Sequence, residues 1–326
     1  MNVYHDIDQL PVFKNAVVTI GTFDGVHKGH QQIIDLMKKE AAAAAGETVI
    51  ISFNPHPRQV IGSKSGPLYL INTLEEKITL LEKYGIQNLV IAPFTTAFSN
   101  QPADNYIADF LVKKFHPHTI IIGHDHHFGR DRSGNYALLE EKAAQFNYSV
   151  KEIPEYMLQD ITISSTKIRT ALIADDIVTA NNFLGYDYFF SGIVVEGNKL
   201  GRTIGYPTAN LQVEDENKLI PGNGVYAVVV ERTIADSALL KENINSLAGA
   251  SQSYRGMMNI GVRPTVDGTK RVIEVNIFDF NKDIYGEQLT IRIRKHLRNE
   301  QKFSGLDALK AQLAKDKEDA IAFLPA

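Results

Sequence analysis

The 326-residue sequence contains no cysteine. Disulfides and thiolate metal sites are therefore excluded, which suits a reducing cytoplasm. No apolar run reaches the length that spans a bilayer. The opening MNVYHDIDQLPVF carries acids and has no apolar core, so it does not read as a signal peptide. Positive charge is not in excess either. The 34 Lys and Arg stand against 38 Asp and Glu, a formal net charge of −4, the wrong balance for a general nucleic-acid binder. Internal repeats are absent. No nucleic-acid or membrane partner is expected, and nothing in the sequence calls for an oligomer. What remains is an ordinary composition, 44% hydrophobic and 22% charged. The length exceeds what one hydrophobic core commonly serves, so two domains are expected.

The two halves follow different patterns. Up to about residue 184, the strand-like runs AVVTI, TVIISF, NLVIAPF, TIIIG and YSVKEI alternate with helical patterns. The clearest helix starts at Thr73, where Thr73 and Glu76 have capping-box spacing and Gly85 follows the last turn. Alternation of this kind predicts an α/β fold with a parallel sheet, ligands binding beyond the carboxyl ends of its strands. The five alanines Ala41 to Ala45 read as the end of the first helix, stopped by Gly46. Beyond NNFLGYDY the pattern changes. FFSGIVVEG, GVYAVVVE, MMNIGV, RVIEVNIF and QLTIRIRKHL are strands separated by turns, which suggests a small antiparallel barrel. One helix, about Leu306 to Leu324, closes the chain. The expected domains are 1–184 and 185–326.

The densest motif is VVTIGTFDGVHKGHQQII, residues 17–34. A buried strand ends at Ile20 and helical spacing begins near Gly29, so the turn between them sits at a strand's carboxyl end and a helix's positive end. Free backbone N–H groups there favour phosphate. His27 and His30 add donors for a phosphoryl group that gains negative charge in a transition state. The spacing is neither that of a P-loop nor that of a dinucleotide fingerprint. A plain turn with surface histidines is the alternative.

Three further stretches share this half. SFNPHPR, residues 52–58, is a proline-stiffened loop at the same sheet edge, either a simple turn or a wall of the acceptor pocket. GHDHHFGRDRSGN, residues 123–135, is rich in histidine. Its His124, Asp125, His126 and His127 are adjacent, however, whereas zinc draws ligands from separated positions. A ligand-contacting loop is the more economical reading. ISSTKIR, residues 163–169, places hydroxyls and an arginine at a helix start, either as caps or as a triphosphate clamp.

GTFDGVHKGH, FNPHP and ISSTKIR, in this order, resemble the FMN adenylyltransferase module of bacterial bifunctional riboflavin kinase/FAD synthetases, over about residues 15 to 180. The resemblance implies a Rossmann-like nucleotidyltransferase domain that makes FAD and pyrophosphate from FMN and ATP. It implies catalytic roles for His27 and His30. ATP would meet Gly21, Phe23, Asp24, His27, His30, Asp125, Ser164, Ser165, Thr166 and Arg169. Asn54, Pro55, His56 and Pro57 would face the flavin. His126 stands where this family commonly has an apolar or aromatic residue.

In the second half, GNKLGRTIGYPTANL places Thr208 and Asn210 one residue apart, so on an extended segment they face the same way. A hydroxyl and an amide oxygen are hard ligands that suit Mg²⁺ when phosphates complete its shell. A glycine-rich hairpin is the plain alternative. In RVIEVNIFDF, Val272, Glu274 and Asn276 share one face of a strand and Ile273, Val275 and Ile277 the other. Glu274 then reads as a solvent-facing residue or as a general base for a hydroxyl attacking ATP. GRTIGYPTANL, PGNGVYA, NIGVRPT, EVNIFDFNKDIYGEQL and LRNEQKF together resemble the riboflavin kinase module of the same enzymes. That resemblance implies Mg²⁺ and ATP binding by Thr208 and Asn210, and Glu274 as catalytic base. Gly192, Gly197, Gly201, Gly205 and Pro207 would form a flap over the nucleotide. Arg298, Glu300 and Phe303 would lie near the flavin. Tyr186, in LGYDY, and Asn276 depart from the family's usual arginine and histidine.

The expectation is thus a bifunctional transferase taking riboflavin to FMN and FMN to FAD with ATP. Two rivals are a single-activity FMN adenylyltransferase with a non-catalytic, flavin-binding barrel, and a cytidylyltransferase, which leaves the second half without a purpose.

Overall fold

The computed structural model describes the chain apart from residues 63–65, 124–125, 154–162, 198–199, 234–250, 266–267 and 326. Two compact units divide it, Met1–Ser165 and Thr166–Ala326.

The first unit is built on a parallel six-stranded sheet: β1 (Asn2–Tyr4), β2 (Val17–Ile20), β3 (Thr48–Asn54), β4 (Asn88–Pro93), β5 (Thr119–Gly123) and β6 (Ser149–Ile153). Their order is β1-β4-β3-β2-β5-β6. Covered on both faces, β2 is buried throughout and β3 up to its final Asn54, which is why these strands read as continuous apolar runs. The edge strand β1 carries no periodic signal in sequence, its three residues being one exposed and two half-buried. β2 is flanked by β3 on one side and β5 on the other. The chain leaves β2 in one direction and later returns on the opposite side, so the carboxyl end of β2 is a topological switch point.

Helix α1 (Lys28–Ala43) follows β2 and buries Gly29, Ile34, Met37 and Ala41. Its end differs from the sequence reading. Gly46 N–H bonds Ala41 O at 2.8 Å and Ala45 N–H bonds Ala42 O at 3.3 Å, while Ala45 is the left-handed residue at φ 45°. Gly46 is needed for space instead, since a Cβ there would lie 2.2 Å from Asn15 O. Helix α2 (Pro57–Ile61) is short. Helix α3 (Leu74–Lys83) starts with the expected capping box, Glu76 N–H on Thr73 Oγ1 at 3.2 Å and Thr73 N–H on Glu76 Oε2 at 3.1 Å.

The second unit is a closed antiparallel barrel of β7 (Phe189–Val195), β8 (Ala209–Gln212), β9 (Gly224–Thr233), β10 (Ser251–Thr265), β11 (Gly268–Ile277) and β12 (Gln288–Arg298). Closure leaves no unpaired edge. β8, which starts within the PTANL motif, is too short to announce itself as a strand in sequence; it supplies the link between β7 and β11. Along β11, Ile273, Val275 and Ile277 are buried, as the alternation predicted, and Asn276 is buried with them. The closing helix Leu306–Phe323 sets Ala320 against Ala227, Val229, Met257 and Phe278 of the barrel. The helices Ser165–Ile173 and Ile177–Leu184 fall almost wholly within this second unit.

Candidate active sites

The turn between β2 and α1 is conformationally demanding. Phe23 (φ 48°) and Val26 (φ 35°) both occupy the left-handed region around Gly25, where a β-branched residue is strained. Burial fixes them, Phe23 at 2% exposure and Val26 at 0%. Asp24 is buried too, and its Oδ1 accepts the backbone N–H of Ile71 (2.9 Å) and of Asn72 (3.2 Å). Ser165 Oγ donates to Asp24 O at 2.9 Å. Asp24 thus shapes the turn and ties it to the segment before α3.

His27 caps α1, its Nδ1 accepting the N–H of His30 at 3.4 Å. The two imidazoles stack with centroids 3.7 Å apart at 17°, and His30 lies 4.7 Å from the Phe23 ring. His30 Nδ1 is buried and bonded to nothing among the described residues. Burial, then the charges of His27 and Lys77, hold its pKa well below the ordinary 6.5. His30 is therefore a neutral hydrogen-bonding group at pH 7.

His30 opens onto a cleft of about 490 Å³ beyond the sheet's carboxyl edge, which Gly21, Thr22, Phe23, Pro57 and His126 also line. Its wall is aromatic, with Phe53, Phe94, Phe98 and Phe128. Arg132 adds a positive charge, His127 also lines the cleft, and no described lining residue is a carboxylate. Asp24, His27, Asn54, Pro55, His56, Ser164 and Ser165 are not in the lining. His56 caps α2 through Nδ1, which accepts Arg58 N–H at 3.1 Å. Asn54 ends β3 exposed. Thr166 and Arg169 lie on the helix Ser165–Ile173. His124 and Asp125 lie outside the described residues.

In the barrel, Gly201, Thr208, Glu274, Asn276, Arg298, Glu300 and Phe303 meet around one cleft of about 250 Å³. Its floor is apolar, with Met257, Met258, Leu309 and Leu313. Glu274 stands opposite Asn210 of β8 and Asn259 of β10 in the sheet register, and directly opposed residues project from the same face. Glu274 Oε2 accepts from Arg263 Nη2 at 2.7 Å. Asn276 Nδ2 donates to Pro207 O at 2.7 Å, anchoring the segment before Thr208. Arg298 is held in a two-pronged pair by buried Asp316 of the closing helix, at 2.8 and 2.7 Å, with its guanidinium 5.7 Å from the Phe303 ring.

Thr208 also lines a second cleft of about 430 Å³, with Pro207, Arg202 and Lys282. Asp283 lines that cleft as well, so Thr208 belongs to two cavities that each carry both cationic and carboxylate side chains. Asn210 lines neither, yet a glycine lies close against each candidate ligand. A Cβ on Gly197 would lie 2.0 Å from Asn210 Nδ2, and one on Gly201 would lie 2.2 Å from Tyr206 O and 3.5 Å from Thr208 Oγ1. This is a cradle that side chains would fill, and its neutral oxygens fit a hard cation that brings its own phosphate ligands. Gly192 lies in β7, where a Cβ would crowd Gln212 O at 3.0 Å, and Gly205 turns the chain at φ +85°.

Two family models match the chain, FAD synthetase over residues 10–167 and riboflavin kinase over residues 184–324. The bifunctional riboflavin kinase/FMN adenylyltransferase of Haemophilus influenzae is 38% identical over 96% of this chain and 95% of its own length. This chain belongs to the bifunctional riboflavin kinase/FMN adenylyltransferase family. The Escherichia coli K12 relative of that name is 34% identical over 98% of this chain and 96% of its own. The Bacillus subtilis relative is 34% identical over 94% and 92%. The crystal structure of a macrolide-efflux protein from Streptococcus pneumoniae shares the fold over 98% of both chains, with a TM-score of 0.84 and 32% identity.

As a member of the family, the chain makes FMN from riboflavin and FAD from FMN, using ATP in both steps. Matches to both halves leave the single-activity and cytidylyltransferase rivals unsupported. Arg263, within NIGVRPT, is not legible as a site residue in the sequence, because no pattern shows that this arginine reaches Glu274. It also missed the aromatic wall, which comes from strand ends and loops far apart in sequence. The buried Lys77 and Asp316 were missed for a related reason: each looks like an ordinary helix-surface charge until packing covers it.

Proposed function

We propose that the aromatic cleft at His30 is where FMN is adenylylated, and the barrel cleft at Glu274 is where riboflavin is phosphorylated. The distribution of carboxylates carries this reading. An FMN phosphate attacks the α-phosphorus of ATP already ionised, so the bond to pyrophosphate breaks without a base having to remove a proton. The described lining at His30 offers only neutral and positive groups, suited to charge building up on a phosphoryl centre. Riboflavin instead attacks the γ-phosphorus through a neutral primary hydroxyl, whose proton must go somewhere. Glu274 is the acceptor, and ADP leaves. His27 and His30 steady the transferring phosphate. Ser164, Ser165, Thr166 and Arg169 clamp the polyphosphate, as the motif implies, with Asn54, Pro55, His56 and Pro57 on the flavin side.

In the barrel, ATP occupies the cavity beside Arg202 and Lys282 and riboflavin the one floored by Met257 and Met258, which brings the γ-phosphate to Thr208 where the two cavities share a residue. Thr208 and Asn210 hold Mg²⁺, which when bound neutralises phosphate charge. Arg298, Glu300 and Phe303 position the flavin. The modules divide at about residue 184. An enzyme consuming ATP twice, with no cysteine to oxidise, belongs in the cytoplasm.

Chromatography of products from riboflavin, ATP and Mg²⁺, scoring FMN, FAD, ADP and pyrophosphate, tests the scheme. Accumulation of FMN without FAD, or failure of both reactions to stop with chelator, would contradict it.

A further inference from the structure

The turn before α1 rests on a buried lysine that does not reach the cleft. Lys77 of α3 is 8% exposed, and its Nζ donates to Ser52 Oγ at 3.3 Å. Ser52, on β3 and fully buried, donates in turn to Thr22 O at 3.3 Å. Thr22 lines the cleft, two residues before Asp24. A continuous chain of hydrogen bonds thus runs from an ammonium in the protein interior to the backbone that faces the ligand.

A buried ammonium is a poor device for stability alone. Desolvating it is costly, and an apolar residue of similar volume would pack as well against the apolar side of α3 that Leu80 and Leu81 form. Its attraction to the equally buried Asp24 offsets part of that cost. A positive charge kept there has a use: it lies behind a turn that receives phosphate.

We propose that Lys77 is a positioning residue for adenylyl transfer, its ammonium holding the Thr22 carbonyl through Ser52 and keeping positive charge behind the phosphate-facing turn. The inference rests on the reading that this cleft performs adenylyl transfer. Electrostatics agree with it, because the charge of Lys77 also helps keep His30 neutral. Among the described residues, the other titratable or charged groups that face this region are His27 at the helix cap, Asp24 within the turn and beside Lys77, and His126, His127 and Arg132 around the cleft.

The test uses the full-length chain, with thermal unfolding and far-ultraviolet circular dichroism of each variant reporting whether the first unit is folded. Lys77→Met should lower kcat/KM for FAD formation by about ten- to a hundredfold, the scale of losing a hydrogen bond to a charged group, with the larger part in KM for ATP. The limb of the pH–rate profile set by His30 should move to higher pH, because a neighbouring positive charge has gone. Ser52→Ala keeps the charge but cuts the relay, so it should raise KM for ATP by a smaller factor and leave that limb in place. Adenylyl transfer within twofold of the parent in Lys77→Met overturns the proposal. Loss of the first unit's folded signal in Lys77→Met, with Ser52→Ala unchanged in adenylyl transfer, also overturns it, by making the lysine a folding residue only. Failure of the underlying reading is separate, since it would show as FAD synthesis surviving His27→Ala and His30→Ala.

Discussion

Arg263 and Glu274 pair at 2.7 Å inside the barrel cleft although they are not opposed in the sheet; the register sets Arg263 against Lys270 and Glu274 against Asn259. The arginine therefore reaches diagonally across the ladder and engages one carboxylate oxygen. This contact fixes the carboxylate's direction.

Glu274→Gln keeps the shape and removes the proton acceptor. FMN formation should fall by about 10²–10⁴, with flavin and Mg²⁺–ATP binding retained. Kinase turnover within twofold of the parent, about 0.4 kcal/mol of barrier, would reduce Glu274 to a surface residue. FMN-to-FAD conversion should be unaffected.

On the proposed assignment, Thr208→Ala deletes a metal ligand rather than a base. Its KM for Mg²⁺–ATP in the kinase reaction should rise more than its kcat falls. Titration of the variant with Mg²⁺ at fixed ATP should show a higher half-saturating concentration, and an unchanged titration curve would remove Thr208 from the metal site.

His27→Ala and His30→Ala should each lower FAD formation by about 10²–10³, the usual loss for a donor aimed at developing charge. FMN formation should survive in both variants. Equal loss of the two activities would point to misfolding.

His30 also makes stability depend on pH. Its folded pKa lies below the ordinary 6.5, so as pH falls below that value the unfolded chain binds a proton that the folded chain resists. Stability then declines with falling pH, and at higher pH the contribution is flat. Thermal unfolding followed downward from pH 7 should show a shallower decline in His30→Ala than in the parent.

The two activities should separate on truncation near residue 184. Fragment 185–326 should phosphorylate riboflavin without making FAD. Fragment 166–326 should be the more stable of the two, because it retains Ile177 and Leu184, both buried, and the Asn181 Nδ2 bond to Ile293 O at 2.9 Å. Each apolar side chain buried is about 1.5–3 kcal/mol. Equal melting temperatures would show that the helix Ile177–Leu184 adds nothing to the barrel.

Local chemistry made much of this molecule legible from sequence. The buried strands show as apolar runs, the capping box at Thr73 marks a helix start, and the alternation around Glu274 places it opposite the buried face of β11. The compact unit, in contrast, begins at Thr166, ahead of the change in pattern near 184, because helices that pack on a barrel look in sequence like any others. β1 and β8 are too short to carry a period, and their pairing partners create them. Only tertiary structure assembled the cleft at His30 from residues spread between Thr19 and Arg132, and turned Arg263 onto Glu274. Only burial sets Lys77 and Glu76 apart from the other charges of their helix. Spacing along a chain reports what a residue does to its neighbours. Desolvation and long-range pairing depend on what the rest of the fold brings to it.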